Sequence, residues 1–326
     1  MSSRVSPAPV PFVTARNPEL SLAPRRLTSE ERAGRSARNL ASARKSILSM
    51  LYGSEAAAGT IRLDATVGEL GLDDVGGLLP IERTARVRDL LTARSGVFHD
   101  AGSPGGDTSD VPARGSKQPG SYWMYNNWDF NVVGAVYAQQ TGHSVFEGFA
   151  KSLAAPLLLQ DFDPARQRML GDPASSRFLA YHFFLSGRDM ARLGLLMVRG
   201  GQWQGQQVIP ADWVTQSTSL IVPVGELHGA PAKGTLGYGY LWWIPVNRPG
   251  SQWQGAFLAN GNYGQFILGL PALDMVIVHR RAVSDAFAIA RNLGQDNSNP
   301  PGVSAEQFMS LVTPVVNAGC SFKAPG

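Results

Sequence analysis

The stretch Leu40-Ala41-Ser42-Ala43-Arg44-Lys45-Ser46-Ile47-Leu48-Ser49-Met50-Leu51-Tyr52 decides the reading of this chain. Its apolar positions Leu40, Ile47, Leu48 and Leu51 recur near helical spacing, so a helix is expected from Arg38 through Tyr52. On a helix, residues three apart share a face, which sets Ser42 beside Lys45. A serine hydroxyl is a poor nucleophile on its own. A lysine one turn away takes or relays its proton once burial or a neighbouring cation lowers its pKa. The pattern alone is a weak signal, because a serine three residues before a lysine also arises by chance. Ser36-Ala37-Arg38-Asn39 is a near-copy that ends in Asn and carries no such chemistry.

Two other segments supply what this pair lacks. Trp123-Met124-Tyr125-Asn126-Asn127-Trp128-Asp129 follows a long loop and precedes a helix. Tyr125, as a tyrosinate or within a hydrogen-bonded relay, can pass a proton to a leaving group. Asn127 can donate to a substrate carbonyl and accept from a lysine. Ala259-Asn260-Gly261-Asn262-Tyr263-Gly264-Gln265 lies between two strand-like runs. Its glycines let a backbone amide approach a ligand closely, as an oxyanion hole requires. Taken singly, the first of these reads equally as an aromatic turn anchoring a loop, and the second as a hairpin.

The rest of the chain is read from periodicity and punctuation. Thr28 with Glu31 fits a capping box, and Val10 to Thr14 is a strand candidate. Helices are expected at Val87–Leu91, Asn131–Gln140 (ended by Gly142), Val145–Leu158, Arg188–Val198 and Ile209–Gln216. Residues 98–121 form a loop longer than usual, which marks it as functional or mobile. Strands gather late, at Tyr238–Ile244, Gln254–Ala259, Gln265–Leu270 and Met275–His279. Helices in the middle and an antiparallel sheet assembled late give an α+β protein, with a helical layer packed on the sheet.

Composition narrows the function. The charged fraction of 17% is too low for a largely disordered chain. The net charge of +4 is modest, and the basic run from Arg25 to Lys45 is broken by Glu30 and Glu31. It reads as a solvated face, and no nucleic-acid-binding module accompanies it. The single cysteine, Cys320, forbids an internal disulfide and a cysteine-rich metal site. The histidines lack zinc spacing; they read as structural, with His99 or His182 as neighbours of a pocket. No cofactor or metal is expected. No window reaches the roughly 18 apolar residues of a membrane span. The polar, proline-interrupted start shows no secretory signal, which sets a cytoplasmic expectation; a longer precursor would make it periplasmic or secreted.

Together the three motifs resemble the serine beta-lactamase-related hydrolases: class C beta-lactamases, penicillin-binding DD-peptidases, family VIII-type esterases and 6-aminohexanoate-dimer hydrolase. The likeness spans about residues 38–290. It extends to Leu90–Gly96, Leu185–Gly194, Gly201–Gly205 with Ile209-Pro210, and Tyr238–Trp243, the last read as a sheet strand. The resemblance implies a beta-lactamase/transpeptidase-like fold with a catalytic domain over 38–290, its helical part at about 60–215 preceding the late strands. Residues 1–37 would be irregular, and the tail 291–326 a helix on the sheet. Relatives carry two strands before the serine helix, so N-terminal strands are expected to be missing here.

By the same resemblance Ser42 is the nucleophile, Lys45 its proton acceptor and Tyr125 the general acid/base. Asn127 would orient substrate and Lys45. The oxyanion donors would be the backbone N–H groups of Ser42 and Asn262, or Gln265 in an alternative register. Gly261, Tyr263, Gly264, Trp123, Trp128 and Trp243 are pocket candidates; the aromatic ones read equally as core. Beta-lactam-recognising relatives have Lys-Thr-Gly where this chain has Ala259-Asn260-Gly261. The substrate-binding ammonium is absent, and Arg280 or Arg281 is the available substitute. The implied substrate is a small ester or amide. The alternatives are a beta-lactamase or DD-peptidase, and a non-catalytic binder of peptides or cell-wall fragments. Oligomeric state is left open.

Overall fold

A computed structural model of the protein describes residues 36–103, 111–281, 285–292 and 302–319. The strand expected at Val10–Thr14, the capping box at Thr28, and Cys320 lie outside these residues. The helices are α1 (Arg44–Ala57), α2 (Val87–Leu91), α3 (Asn127–Thr141), α4 (Val145–Phe149), α5 (Gly187–Val198), α6 (Ala211–Ser217), α7 (Asp285–Asn292) and α8 (Ala305–Gly319). The main sheet contains β1 (Leu236–Tyr238), β2 (Trp243–Pro245), β3 (Phe257–Gly261), β4 (Gln265–Leu270) and β5 (Met275–His279). It is an antiparallel meander in the order β5-β4-β3-β2-β1. The architecture is α+β.

Register assigns the two faces. Gly261 pairs with Gln265, Ala259 with Ile267 and Phe257 with Gly269. Alternate residues of a strand share a face, so these six side-chain positions point the same way. On that face lie the turn before α1 and helix α5. Gly194 of α5 approaches so closely that a Cβ there would lie 2.6 Å from Val276 and 2.7 Å from Ile267. On the opposite face Phe308 of α8 stacks on Phe266 at 4.6 Å. The sheet is thus covered by helices on both sides, and its strands are correspondingly apolar.

Three elements differ from the sequence reading, each for a local reason. The helix expected from Arg38 begins only at Arg44. Residues 38–39 instead pair with Phe184 and Leu185. The Asn39 side chain accepts from Ala41 N at 2.7 Å, Ala41 takes φ 48°, and Ala41–Ala43 form a 3-10 turn. Tyr238–Ile244 is not one strand but a hairpin between β1 and β2. Leu241 sits in the left-handed region (φ 62°), its N–H donates to Leu91 O, and its carbonyl accepts from Ser46 Oγ. The helix expected at Val145–Leu158 leaves α geometry after Phe149 and passes through a π turn at Ala150–Ala154. Smaller shifts start α3 four residues early, at Asn127, and move the strand expected at Gln254–Ala259 to Phe257–Gly261. Within 98–121, the described residues form neither helix nor strand. No described helix is long and apolar enough to cross a membrane.

Asp74 ties the start of α3 to the loops around it. It is buried and accepts from Val75 N (2.8 Å), Arg177 N (2.7 Å), Ser176 Oγ (2.6 Å) and Trp128 Nε1 (2.8 Å). Burial works to raise this carboxyl's pKa, but the four donors outweigh it and hold the pKa below the usual carboxylate value. Asp74→Ala leaves these donors without their acceptor and is expected to destabilise the fold by about 3 kcal/mol. Urea denaturation would measure this; an unchanged midpoint would show that Asp74 does not anchor α3.

Candidate active site

Three chain segments meet at Lys45. Ser42 comes from the 3-10 turn and Lys45 from the first turn of α1. Tyr125 and Asn127 come from the residues that lead into α3. Asn126 fixes this entry: its side chain caps Trp128 N at 3.0 Å and donates to Val97 O at 2.6 Å. Lys45 Nζ lies 3.2 Å from Ser42 Oγ, 2.8 Å from Tyr125 Oη and 2.8 Å from Asn127 Oδ1. Lys45 is only 1% exposed. The rings of Tyr125 and Phe130 flank the amine, each with its centroid 4.1 Å away.

This setting determines protonation. Burial, and then the adjacent charge of Arg44, hold the Lys45 pKa well below 10.5. A neutral amine has two N–H donors and one lone pair. Asn127 Oδ1 can only accept, so it takes one N–H. The other N–H and the lone pair face the hydroxyls of Ser42 and Tyr125, and either hydroxyl can give its hydrogen to Nζ. The Tyr125 pKa is pushed up to about 12 by burial, against the opposing effects of the Ser42 hydrogen bond and Arg44. Tyr125 therefore rests as a phenol rather than a tyrosinate, which narrows the sequence reading.

The third motif arrives through β3. A Cβ on Gly261 would sit 2.3 Å from Leu40 O and 2.9 Å from Ala43 N, so only glycine lets this strand end lie against the Ser42 turn. Asn262 follows at the head of the hairpin, with Tyr263 (φ 65°) and Gly264 (φ 89°) completing the turn. Gln265 is a buried ladder residue whose side-chain amide donates to Arg281 O at 3.0 Å. Arg280 donates to Ser36 O. At the position of the absent lysine, Ala259 is buried in the sheet.

The pocket candidates divide. Trp243 stacks on Tyr125 at 5.5 Å, and Trp123 stands edge-on to Trp243 at 6.0 Å. Trp128 does not join them: it is fully buried, with its Nε1 on Asp74 and its ring edge-on to Phe178. Tyr263 turns to Phe287 of α7 at 5.6 Å, and Gly264 O accepts from His279 Nδ1 at 2.7 Å. Sequence reasoning passed over Arg44, which packs against the Ser42 turn, and Tyr181, whose ring faces its guanidinium. The available signal was a cation inside the Ser-x-x-Lys quartet itself.

The fold is a helix-covered antiparallel sheet with a serine, lysine, tyrosine and asparagine gathered at its face. The Beta-lactamase family model matches residues 33–279, and the chain belongs to that family, with its beta-lactamase/transpeptidase-like fold. Among solved structures, a protein described as a 6-aminohexanoate-dimer hydrolase from Bacillus anthracis is similar at 20% identity and TM-score 0.61, covering 94% of this chain and 79% of that one. EstCE1, described as a hydrolase with promiscuous acyltransferase activity, is similar at 15% identity and TM-score 0.53, covering 79% and 84%. The octameric penicillin-binding protein homologue from Pyrococcus abyssi is similar at 17% identity and TM-score 0.53, covering 81% and 67%. At these identities the likeness concerns the fold. A search of curated protein sequences finds no significant match.

Proposed function

We propose that this protein is a serine hydrolase that cleaves an ester or amide through an acyl-Ser42 intermediate. The observation that carries this is the single amine, Lys45 Nζ, within hydrogen-bond reach of Ser42 Oγ, Tyr125 Oη and Asn127 Oδ1. Ser42 Oγ attacks the substrate carbonyl while its proton passes to Lys45, directly or through Tyr125. The tetrahedral oxyanion is held by the backbone N–H groups of Ser42 and Asn262. The contact of Gly261 with the Ser42 turn supports Asn262 over Gln265. Tyr125 returns the proton to the leaving alcohol or amine, and water then attacks the acyl-serine by the reverse route. Asn127 holds Lys45 and is available to the substrate carbonyl. Trp123 and Trp243 form the apolar wall behind Tyr125.

A serine-directed fluorophosphonate tests the nucleophile. Stoichiometric labelling that maps to Ser42 supports the reading; an unlabelled protein favours the non-catalytic binder. The buried Ala259 favours ester or amide substrates over beta-lactams, because its side chain offers no cation to a substrate carboxylate. Nitrocefin is therefore expected to remain unhydrolysed under conditions that turn over p-nitrophenyl butyrate. Comparable rates for the two would move the assignment to a beta-lactamase.

A further inference from the structure

Arg44 opens α1 between the two chemical residues of the motif, and its side chain is 3% exposed. Its Nη1 donates to Ala41 O at 3.3 Å, its guanidinium carbon lies 5.3 Å from the centre of the Tyr181 ring, and its Nε has no hydrogen-bond partner. No carboxylate among the described residues pairs with it. Buried arginines are ordinarily paired, because an isolated charge loses its hydration. This one meets only a carbonyl and a π face.

The groups around it are not anions. From the short strand Ala180–His182 come Tyr181 and His182, from the approach to α3 comes Tyr125, and from α1 itself comes Lys45. Tyr238 of β1 stands edge-on to Tyr125 at 6.4 Å. Burial raises the pKa of each of these three tyrosines. His182 is neutral too. Asn39 Oδ1 accepts from Ala41 N, so Asn39 Nδ2 must donate to His182 Nδ1 at 3.2 Å. Burial, followed by the charge of Arg44, keeps the His182 pKa well below 6.5.

We propose that Arg44 is a positioning residue whose unpaired buried charge keeps Lys45 in its neutral, proton-accepting form. The proposal deepens the serine-hydrolase reading and rests on it for its catalytic meaning. A second positive charge on Lys45 would be repelled by the first, because both side chains are buried and water screens them little. The same field favours the negative charge that develops on Ser42 Oγ and Tyr125 Oη during attack. Burial alone would desolvate Lys45; Arg44 adds a fixed bias that does not depend on substrate.

The test is an NMR titration of protein labelled at lysine Cε. The chain has five lysines, Lys45, Lys117, Lys151, Lys233 and Lys323, and the Lys45 signal is assigned by its loss in Lys45→Met. In the wild type, Lys45 should titrate well below 10.5. In Arg44→Met its midpoint should rise by about one pH unit or more, whereas Arg44→Lys should keep it low. Circular dichroism checks that each variant is folded, and Arg44→Gln serves as a second neutral replacement. An unchanged Lys45 midpoint in the neutral variants overturns the proposal, as does an equal rise in Arg44→Lys. Fluorophosphonate labelling of the same samples separates the two readings. An unlabelled Ser42 with the expected Lys45 shift would sink the hydrolase while leaving the Arg44–Lys45 coupling intact.

Discussion

Ser42→Ala is expected to lower p-nitrophenyl butyrate hydrolysis by about 10⁴-fold or more and to abolish fluorophosphonate labelling. The size of the loss follows from the mechanism. Without the hydroxyl no acyl-enzyme forms, and any remaining turnover depends on water attacking directly, with only the oxyanion donors and binding contacts to help. Stability should barely change, because the hydroxyl's hydrogen bond to Lys45 is long at 3.2 Å and Asn127 and Tyr125 still hold the amine. Thermal melting beside the kinetics checks both parts. Equal rates for variant and wild type would remove Ser42 from the chemistry, and a collapse of the fold would make the kinetic loss uninformative about mechanism.

Much of this site could be read from the sequence because its chemistry is local. Ser42 and Lys45 lie one helical turn apart, and Tyr125 and Asn127 lie in one aromatic-rich segment. What the sequence did not reveal is set by long-range contacts. Nothing local in Leu40-Ala41-Ser42 announces a 3-10 turn; it arises because Asn39 pairs with Phe184 and caps Ala41. The hairpin at Gly239–Trp242 reads as a continuous strand because Tyr238–Ile244 alternates in part. It turns where Leu241 is held between Leu91 and Ser46, nearly two hundred residues away in the latter case. Trp128 illustrates the same limit: an aromatic beside a catalytic motif suits pocket and core equally, and the indole N–H on Asp74 decides for the core.

The contact between β3 and the Ser42 turn explains why the fold places the motifs in this order. Two backbones can approach this closely only where a side chain is absent, and Gly261 supplies that point. The late hairpin therefore packs directly against the turn that carries Ser42. A site assembled from residues 42, 125 and 262 has little local support, so its rigidity comes from anchors such as Asp74, Asn126 and Ser46, which lie just outside the chemistry.

Lys45→Met should show both the chemical use of the buried amine and what it does to stability. Activity is expected to fall by about 10³-fold or more, since Ser42 loses its proton acceptor and Tyr125 its relay partner. The stability change depends on pH, and its sign is fixed. The Lys45 pKa is depressed in the folded protein, so between that value and 10.5 the unfolded chain binds one more proton than the folded one. Stability of the wild type therefore rises with pH across this window, by about 1.4 kcal/mol per pH unit from Lys45 alone. The other displaced groups, Asp129 and the buried tyrosines among them, are common to the wild type and Lys45→Met, so the difference between the two slopes reports Lys45. Urea denaturation at about pH 7.5 and about pH 8.5 should show a rise in the wild type that is smaller or absent in Lys45→Met. A variant that keeps the wild-type slope would mean that Lys45 is charged when folded, and an amine already holding its proton could not accept one from Ser42.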